Sequence, residues 1–310
     1  MTHATAPGKV ILFGEHAVVY GRPAIAAPVS QVRATAVITP SPDDNIHLIA
    51  PDLYQAITLA EADEENPLAA AVRQMATAVS QPMPPFSLTV TSQIPIASGM
   101  GSGAAITAAI IRALAQHLGL VVSNEWVSDL TYEVEKVHHG TPSGIDNTVV
   151  TYEQPVYFVR QQPQNRIEAF RVERPLHLLI ADTGIRSSTK VAVGDVRRQW
   201  QTDPARFEAL FNGCGQIAEQ ARVAIECGDL GEIGRLMNQN HTLLQEMAVS
   251  SPELDQLVTA ATEAGAIGAK MSGAGRGGNM IALVDEAGQT AVREALLAVG
   301  ATAVLSSLVQ

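Results

Sequence analysis

Two carboxylates, Glu135 and Asp146, stand eleven positions apart on either side of the segment KVHHGTPSGI. A carboxylate at the end of a helix and another just beyond a rigid Gly/Pro loop could face one cleft. There, one could hold Mg²⁺ while the other orients or deprotonates an alcohol. The structural alternative is a charge at a helix end and an aspartate that caps the next segment.

A glycine-rich loop, PIASGMGSGAA, precedes a long apolar helix pattern and has three glycines within five residues. Glycine allows positive φ angles and close approach to a ligand, and the helix that follows directs its unpaired N–H groups into the same space. The pattern fits neither a Walker A loop nor a complete GxGxxG motif. A tight connection is the alternative to a phosphate site formed by Pro95, Ser98, Gly99, Met100, Gly101, Ser102, Gly103, Ala104 and Ala105.

Two further motifs combine a lysine with glycines. KMSGAGRGG, residues 270–278, has four glycines within six positions between two apolar runs, which indicates either a second backbone wall beside a ligand or a mobile surface loop. PGKVILFGEH, residues 7–16, places Lys9 after a Pro-Gly turn, and we expect it on a loop between strands. A structural salt bridge is the alternative role for this lysine.

Neither the histidines nor the cysteines have the spacing of a metal site. His138 and His139 are adjacent, so their side chains diverge, and a third ligand is not evident. Cys214 and Cys227 lie in a helical pattern, where we predict small packing residues rather than a disulfide or a zinc site.

The elements that must position these residues follow from hydrophobic periodicity. The first forty residues predict strands joined by tight loops, and the stretch from 43 to 65 predicts a polar connection. Next come a helix at about 67–79, a half-buried strand FSLTVTSQI, the glycine loop with its helix, and a helix from Ser123 or Asn124 to about Val137. The buried strand LHLLIAD, three or four amphipathic helices and a closing helix and strand complete the chain, with a domain boundary near 170–176.

Length and charge limit the class of protein. A chain of 310 residues with 46% hydrophobic content predicts about two folded domains. A net charge of −11 disfavours nucleic-acid and anionic-membrane partners, which need a basic surface. The sequence lacks a signal-peptide pattern and a long apolar span, so we predict a cytoplasmic protein.

Taken in order, the four motifs resemble the GHMP kinase superfamily, and APGKVILFGEHAVVYG, HGTPSGIDN and KMSGAGRGGNMIAL resemble its mevalonate kinases of the short microbial type. The resemblance implies an α+β fold of two domains: residues 1–173, with a left-handed βαβ unit, and residues 174–310, ferredoxin-like, with ATP and substrate between them. It implies ATP-dependent phosphorylation of the C5 hydroxyl of mevalonate. The alternatives are another GHMP kinase (mevalonate 3-kinase, phosphomevalonate kinase or a sugar kinase) or a non-catalytic binding protein of this fold.

The resemblance also assigns roles to individual residues. Asp146 matches the catalytic aspartate, Lys9 the lysine that contacts the substrate alcohol, and Glu135 the Mg²⁺ ligand. Glu15 and His16 match residues near mevalonate. ATP, Mg²⁺ and mevalonate are the implied ligands, with no nucleic acid or membrane partner, and the family often forms homodimers.

Residues 182–190 resemble the mobile loop of the family, in which Thr189 would lie near the active site. The alternative is a helix N-terminus capped by Ser187 or Ser188. Two positions depart from the family pattern. Gly103 replaces a serine whose hydroxyl helps to hold Mg²⁺, and Arg276 replaces a glycine, which would place a cation near the phosphates.

Overall fold

The computed structural model describes residues 1–95, 99–139 and 142–310, with the backbone alone at 138 and 139. These residues form two compact units. The first comprises Met1–Gly8, Val32–Pro95 and Gly101–Glu153, and the second comprises Lys9–Gln31, Ile96–Met100 and Gln154–Gln310. The units therefore do not follow a single cut in the chain. The predicted family domains, 1–173 and 174–310, stay a prediction.

The first unit packs helices on an open sheet, and its long strands β1 and β2 also contribute residues to the second unit. Its strands are β1 (Thr2–Phe13), β2 (Ala24–Pro40), β3 (His47–Ala50), β4 (Gln55–Thr58) and β5 (Phe86–Ser92). Its helices are α1 (Pro67–Val79), α2 (Ser102–His117), α3 (Asn124–His139) and α4 (Ile145–Tyr152). The strand order is β4-β3-β5-β2, and β1 pairs with β2.

Helix α1 begins and ends where the sequence predicts. The Asn66 side chain accepts hydrogen bonds from the N–H groups of Leu68 and Ala69, both at 3.1 Å, and Pro67 occupies the first helical position. An N-cap asparagine followed by proline fixes a helix start without any tertiary contact. Local chemistry is therefore sufficient for this element.

The polar connection predicted for residues 43–65 is wrong in part, because it contains the antiparallel pair β3–β4. Strand β3 also runs parallel to β5, with Leu48 opposite Leu88. Four-residue strands carry too few alternations to stand out from a loop pattern. Pairing with β5, which comes much later in the chain, is what stabilises them.

The strands of the second unit are β6 (Val156–Val159), β7 (Arg166–Ala169), β8 (Leu176–Asp182), β9 (Gly268–Ser272), β10 (Asn279–Val284) and β11 (Ala303–Val309). Strands β6 and β7 continue the sheet that contains β2, whereas the other four form an antiparallel sheet of order β11-β8-β10-β9. The helices of this unit are α5 (Thr189–Thr202), α6 (Pro204–Cys227), α7 (Leu230–Glu246), α8 (Pro252–Glu263) and α9 (Gln289–Ala298). The order strand, helices, two strands, helix, strand is that of the ferredoxin-like fold, as the resemblance implies.

An apolar core in the second unit contains buried side chains from its sheet and helices, among them Leu179, Phe207, Phe211 and Met280. Burial of one such side chain contributes about 1.5–3 kcal/mol. Cys214 belongs to this core, as predicted for a packing residue. Cys227 is exposed at the end of α6, so the packing prediction is wrong for it.

Helix α7 lies unusually close to strand β9. A methyl group on Gly234 would overlap the Ile267 backbone, and one on Gly268 would overlap the Gly234 backbone. Two facing glycines thus let the helix approach the strand backbone to backbone. This approach brings the polar side chains of α7 within reach of β9. Within the described ranges, no helix is long and apolar enough to cross a membrane.

Candidate active site

The N-terminus of α2 lies in the first unit and holds the last residues of the predicted phosphate loop. Gly101 is the N-cap in the left-handed region, with φ 70°, and makes no side-chain capping bond. The N–H groups of the first helical turn lack acceptors within a helix, so they are suited to bind an anion. The predicted order of strand, loop and helix is confirmed. Ser98 of the predicted phosphate loop lies outside the described residues, while Pro95 and Gly99 lie within them.

Glu135 lies beside this helix start. A methyl group at position 103 would stand 3.1 Å from the Glu135 Oε1 atom, so Gly103 leaves room for the carboxylate. Glu135 is 6% exposed and lies four residues before the end of α3 at His139. A solvated helix-end charge does not describe this position. The positive end of the α2 dipole favours a carboxylate here.

Asp146 lies in the first turn of α4, half-buried. The sequence predicts Asp146 just beyond a loop and does not predict this helix, because eight residues are too few for a clear period. The N-cap is Gly144, with φ 93° and no side-chain capping bond. The interpretation of Asp146 as a capping aspartate is therefore wrong.

In the second unit, Lys9 lies within β1 and is 3% exposed. The prediction of a loop between strands is wrong at this residue, because β1 continues through Pro7 and Gly8 to Phe13. The Lys9 N–H donates to the Met100 carbonyl at 3.0 Å, which ties the strand to the phosphate loop. The next residues are fixed by Ser272, whose Oγ accepts from the Ile11 N–H at 3.1 Å.

Glu15 and Lys270 form an ion pair in which both side chains are fully buried. The Lys270 ammonium donates to Glu15 Oε1 and to the Met271 carbonyl, the latter at 2.6 Å. Burial raises the pKa of Glu15, and the charges of Lys270 and Lys9 oppose that rise. Burial likewise lowers the pKa of Lys270 against the effect of Glu15. Glu15 Oε2 has no hydrogen-bond partner among the described residues.

His16 follows in a left-handed conformation, φ 59°, and is 5% exposed. Its Nε2 lies 3.0 Å from the Ala274 carbonyl. A carbonyl only accepts, so Nε2 carries the proton. Burial lowers the pKa of His16 to about 4, and the Arg276 charge acts in the same direction. Nδ1 is then a buried acceptor with no hydrogen-bond partner among the described residues.

Polar side chains of α7 bond to the backbone around the Glu15–Lys270 pair, and this contribution was not predicted from the sequence. Asn238 accepts from the Ala269 N–H at 2.9 Å, and Asn240 accepts from the Gly14 N–H at 3.4 Å. His241 Nδ1 accepts from the Met271 N–H at 3.3 Å. The sequence signal for these residues is Asn-x-Asn-His within one amphipathic helix. Periodicity alone would assign such polar residues to the solvent-exposed face of the helix.

A pocket in the second unit is lined by Gly99, two residues at the start of α5, and the loop between β9 and β10. These two residues are Ser187, which precedes the helix, and Thr189, its first residue. The Ser188 side chain between them caps the helix by accepting from the Val191 N–H. The predicted cap is thus confirmed, and Thr189 also lines the pocket. The loop residues are Ser272, Ala274, Gly275, Gly277 and Gly278.

The Arg276 guanidinium forms an ion pair with Asp195 of α5. The expectation that Arg276 places a cation near the phosphates stays a prediction.

The residues of the first unit fit a magnesium ion that is bound mainly by nucleotide phosphates and water rather than by protein side chains. Among the residues that the structure describes, no group of three or more His, Cys, Asp or Glu side chains could hold a metal. Mg²⁺ is commonly held by one or two carboxylates together with substrate phosphates and water. Glu135, buried beside the start of α2, would supply one such carboxylate.

Two family models match the chain: the GHMP kinases N terminal domain at residues 66–154 and the GHMP kinases C terminal domain at residues 221–302. The mevalonate kinase of Pyrococcus horikoshii is 36% identical over 90% of this chain and 88% of its own length. That of Thermococcus onnurineus is 34% identical over 98% and 95%. The crystal structure of L. major mevalonate kinase in complex with R-mevalonate has a TM-score of 0.86 at 31% identity, covering 100% of this chain and 96% of that one.

Proposed function

This chain belongs to the mevalonate kinase family of the GHMP kinases, and we propose that it transfers the γ-phosphoryl group of ATP directly to the C5 hydroxyl of mevalonate. The products are 5-phosphomevalonate and ADP. A cytoplasmic location, a homodimeric state and the absence of nucleic-acid and membrane partners stay predictions from the sequence.

The observation that carries the assignment of residues is the burial of charge at motif positions. Lys9 is 3% exposed and Glu135 is 6% exposed. Lysine and glutamate side chains are rarely buried to this extent. Lys9 and Glu135 stand at the motif positions where the family resemblance places the lysine that contacts the substrate and the Mg²⁺ ligand. The two residues therefore support a site for phosphoryl transfer.

Phosphoryl transfer depends mainly on positioning and electrostatics. We assign the phosphates of ATP to the N-terminus of α2, where Ser102, Gly103 and Ala104 present the backbone N–H groups of the first helical turn. Glu135 would hold Mg²⁺ together with ATP oxygens, and the ion would neutralise charge on the phosphates. Ser102 offers a hydroxyl at the same helix start.

The nucleophile needs activation, because an alcohol with a pKa of about 16 is a poor nucleophile at neutral pH. We propose that the Lys9 ammonium stabilises negative charge on the C5 oxygen and that Asp146 accepts its proton or aligns it. The oxygen then bonds to the γ-phosphorus as the bond to ADP breaks. The neutral His16 offers Nδ1 as an acceptor for a substrate hydroxyl, and Glu15 and Thr189 complete the substrate side.

The test is a coupled assay of ADP release by the purified full chain with MgATP and one of four alcohols. Mevalonate should be turned over well above phosphomevalonate, homoserine and galactose, and phosphorus NMR should place the new phosphate on the primary C5 oxygen. Phosphate on the tertiary C3 oxygen, or turnover of another panel member only, would contradict the proposal.

Active-site variants provide the control for the same assay. Asp146→Asn and Lys9→Met should each lower kcat by about 100-fold or more, the usual scale for a positioned acid–base group. Glu253 occupies the second position of α8, as Asp146 does in α4, and is exposed. Glu253→Gln should leave kcat unchanged. A fall in thermal stability with kcat preserved in Asp146→Asn or Lys9→Met would assign those residues to folding instead.

A further inference from the structure

The backbone of Arg276 has a strained conformation that a glycine would adopt without strain. It lies between Gly275 and Gly277 with φ 59°, in the left-handed region where side chains are sterically disfavoured. The loop around it is otherwise rich in glycines with positive φ. An arginine held in this conformation needs a compensating contact.

The side chain of Arg276 reaches across to helix α5. Its Nη1 forms an ion pair with Asp195, and the side chains are 34% and 19% exposed. The Arg276 N–H donates to the Val249 carbonyl at 2.8 Å, which anchors the backbone from which the guanidinium extends. Asp195 also pairs with Arg198, three residues further along α5, whose side chain is 72% exposed.

Helix α5 has little else to hold its first turns. Its buried residues are Ala192 and Val196, and residues 189–191 are exposed. Segments with few buried apolar side chains open locally at low free energy. The Arg276–Asp195 pair therefore acts on a helix start that apolar packing leaves weakly fixed.

The loop before α5 is already joined to the glycine loop by backbone hydrogen bonds. The Thr183 N–H and hydroxyl both donate to the Gly278 carbonyl, at 2.9 and 3.0 Å, and the Gly278 N–H donates to the Ile185 carbonyl at 2.8 Å. A methyl group on Gly277 would stand 2.5 Å from the Ile185 carbonyl oxygen, so only glycine allows this approach. These bonds end at Ile185, before Ser187 and Thr189.

Ser187 and Thr189 form one wall of the pocket, and the glycine loop forms another. Arg276 lies in the glycine loop, and Asp195 lies in α5, the helix that begins at Thr189. Neither is among the described residues that line the pocket. We propose that Arg276 is a positioning residue. Its ion pair with Asp195, here called the clasp, holds the start of α5 against the glycine loop and so positions Thr189 for contact with the substrate.

The clasp rests on the proposed function, in which Thr189 contacts mevalonate. Breaking it should weaken mevalonate binding more than it affects the chemical step, because Lys9 and Asp146 are untouched. Arg276→Gly removes the guanidinium and also relieves the backbone strain, so the variant should fold. Asp195→Asn removes the other partner of the pair.

Steady-state kinetics of the full chain test the clasp. Arg276→Gly and Asp195→Asn should each raise the KM for mevalonate by about three- to tenfold with a smaller change in kcat, and the double variant should be no worse than either alone. Arg198→Gln, which removes the other partner of Asp195, should leave KM unchanged. An unchanged KM in both clasp variants, or additive effects in the double variant, would overturn the proposal.

Hydrogen exchange of the free protein separates this proposal from the assignment of the substrate. Amides of residues 186–194 should exchange faster in Arg276→Gly and Asp195→Asn than in the wild type, and at the wild-type rate in Arg198→Gln. Faster exchange without mevalonate turnover by the wild type would retain the clasp and reject the proposed function. Unchanged exchange in both clasp variants would reject the clasp whatever the substrate.

Discussion

His16 is a buried histidine that stays neutral, and its environment makes folding depend on pH. Burial holds its pKa at about 4, below the ordinary value of 6.5. Between these values the unfolded chain binds a proton that the folded chain does not. Acid therefore favours unfolding, and the stability contributed by a neutral His16 is complete above pH 6.5 and is lost as the pH falls towards 4.

The predicted magnitude can be measured by urea unfolding at pH 7 and pH 5. His16 should account for about 2 kcal/mol of the loss in unfolding free energy at pH 5. His16→Asn should lose less stability on acidification, since asparagine tolerates the left-handed backbone and does not titrate. His3→Asn, at an exposed histidine, is the matched control and should keep the wild-type loss. Equal losses in wild type and His16→Asn would exclude His16 as the cause.

At the residue scale, sequence identified most candidate side chains but not their partners. Glu15 and Lys270 stand 255 positions apart, so no local pattern connects the two charges. Arg276 forms an ion pair with Asp195, 81 positions earlier in the chain, which no local pattern predicts. Pairing of distant charges depends on tertiary packing, which periodicity does not encode.

At the scale of elements, predictions succeeded where short-range chemistry decides. Helix α1 has its asparagine cap and proline, α2 follows its glycine loop, and β9 and β10 flank the glycines of residues 273–278. They failed at the β3–β4 pair and at α4, whose lengths are four, four and eight residues. The pattern of so short an element carries little signal, and packing against other elements decides whether it forms.

The pairing of α2 with α3 leads to a prediction about magnesium. Gly103 on α2 leaves room for Glu135 on α3, and an added methyl group 3.1 Å from Oε1 would force the carboxylate to shift. Gly103→Ala and Glu135→Gln should therefore both raise the Mg²⁺ concentration for half-maximal rate. Gly103→Ser adds a hydroxyl ligand beside the displaced carboxylate, so it should need less Mg²⁺ than Gly103→Ala and keep kcat within about tenfold of the wild type.

Rates measured across a magnesium titration check this ordering. Glu133→Gln is the matched control, because Glu133 lies on the same helix, exposed and paired with Lys136. It should leave the Mg²⁺ requirement unchanged. An unchanged Mg²⁺ requirement in Glu135→Gln would show that Glu135 is not a magnesium ligand. An inert wild type that Gly103→Ser rescues would identify a disabled kinase and contradict the proposed function.

For the whole molecule, the two compact units do not correspond to two consecutive halves of the chain. Lys9–Gln31 precedes the first unit's main segment in sequence but packs with residues after Gln154. Ala17 belongs to the core of the second unit, and Ala24–Ala26 of β2 pairs with Val156–Phe158 of β6. A cut at 173/174 would fall within the segment Gln154–Gln310 of the second unit.

This division predicts that residues 174–310 do not fold alone. The fragment would lack Glu15, which leaves the fully buried Lys270 uncompensated at a cost of about 3–5 kcal/mol, a large part of a typical stability of about 5–15 kcal/mol. It would also lack Gln31, whose side chain accepts from the Ser307 hydroxyl at 2.9 Å, and the strand residues that bond to Ser272. Urea unfolding of the isolated fragment should show no cooperative transition, whereas mixing it with residues 1–173 should restore the transition and kinase activity. A cooperative transition in residues 174–310 alone would show that the cut at 173/174 marks a real folding boundary and that Lys9–Gln31 is dispensable to the second unit.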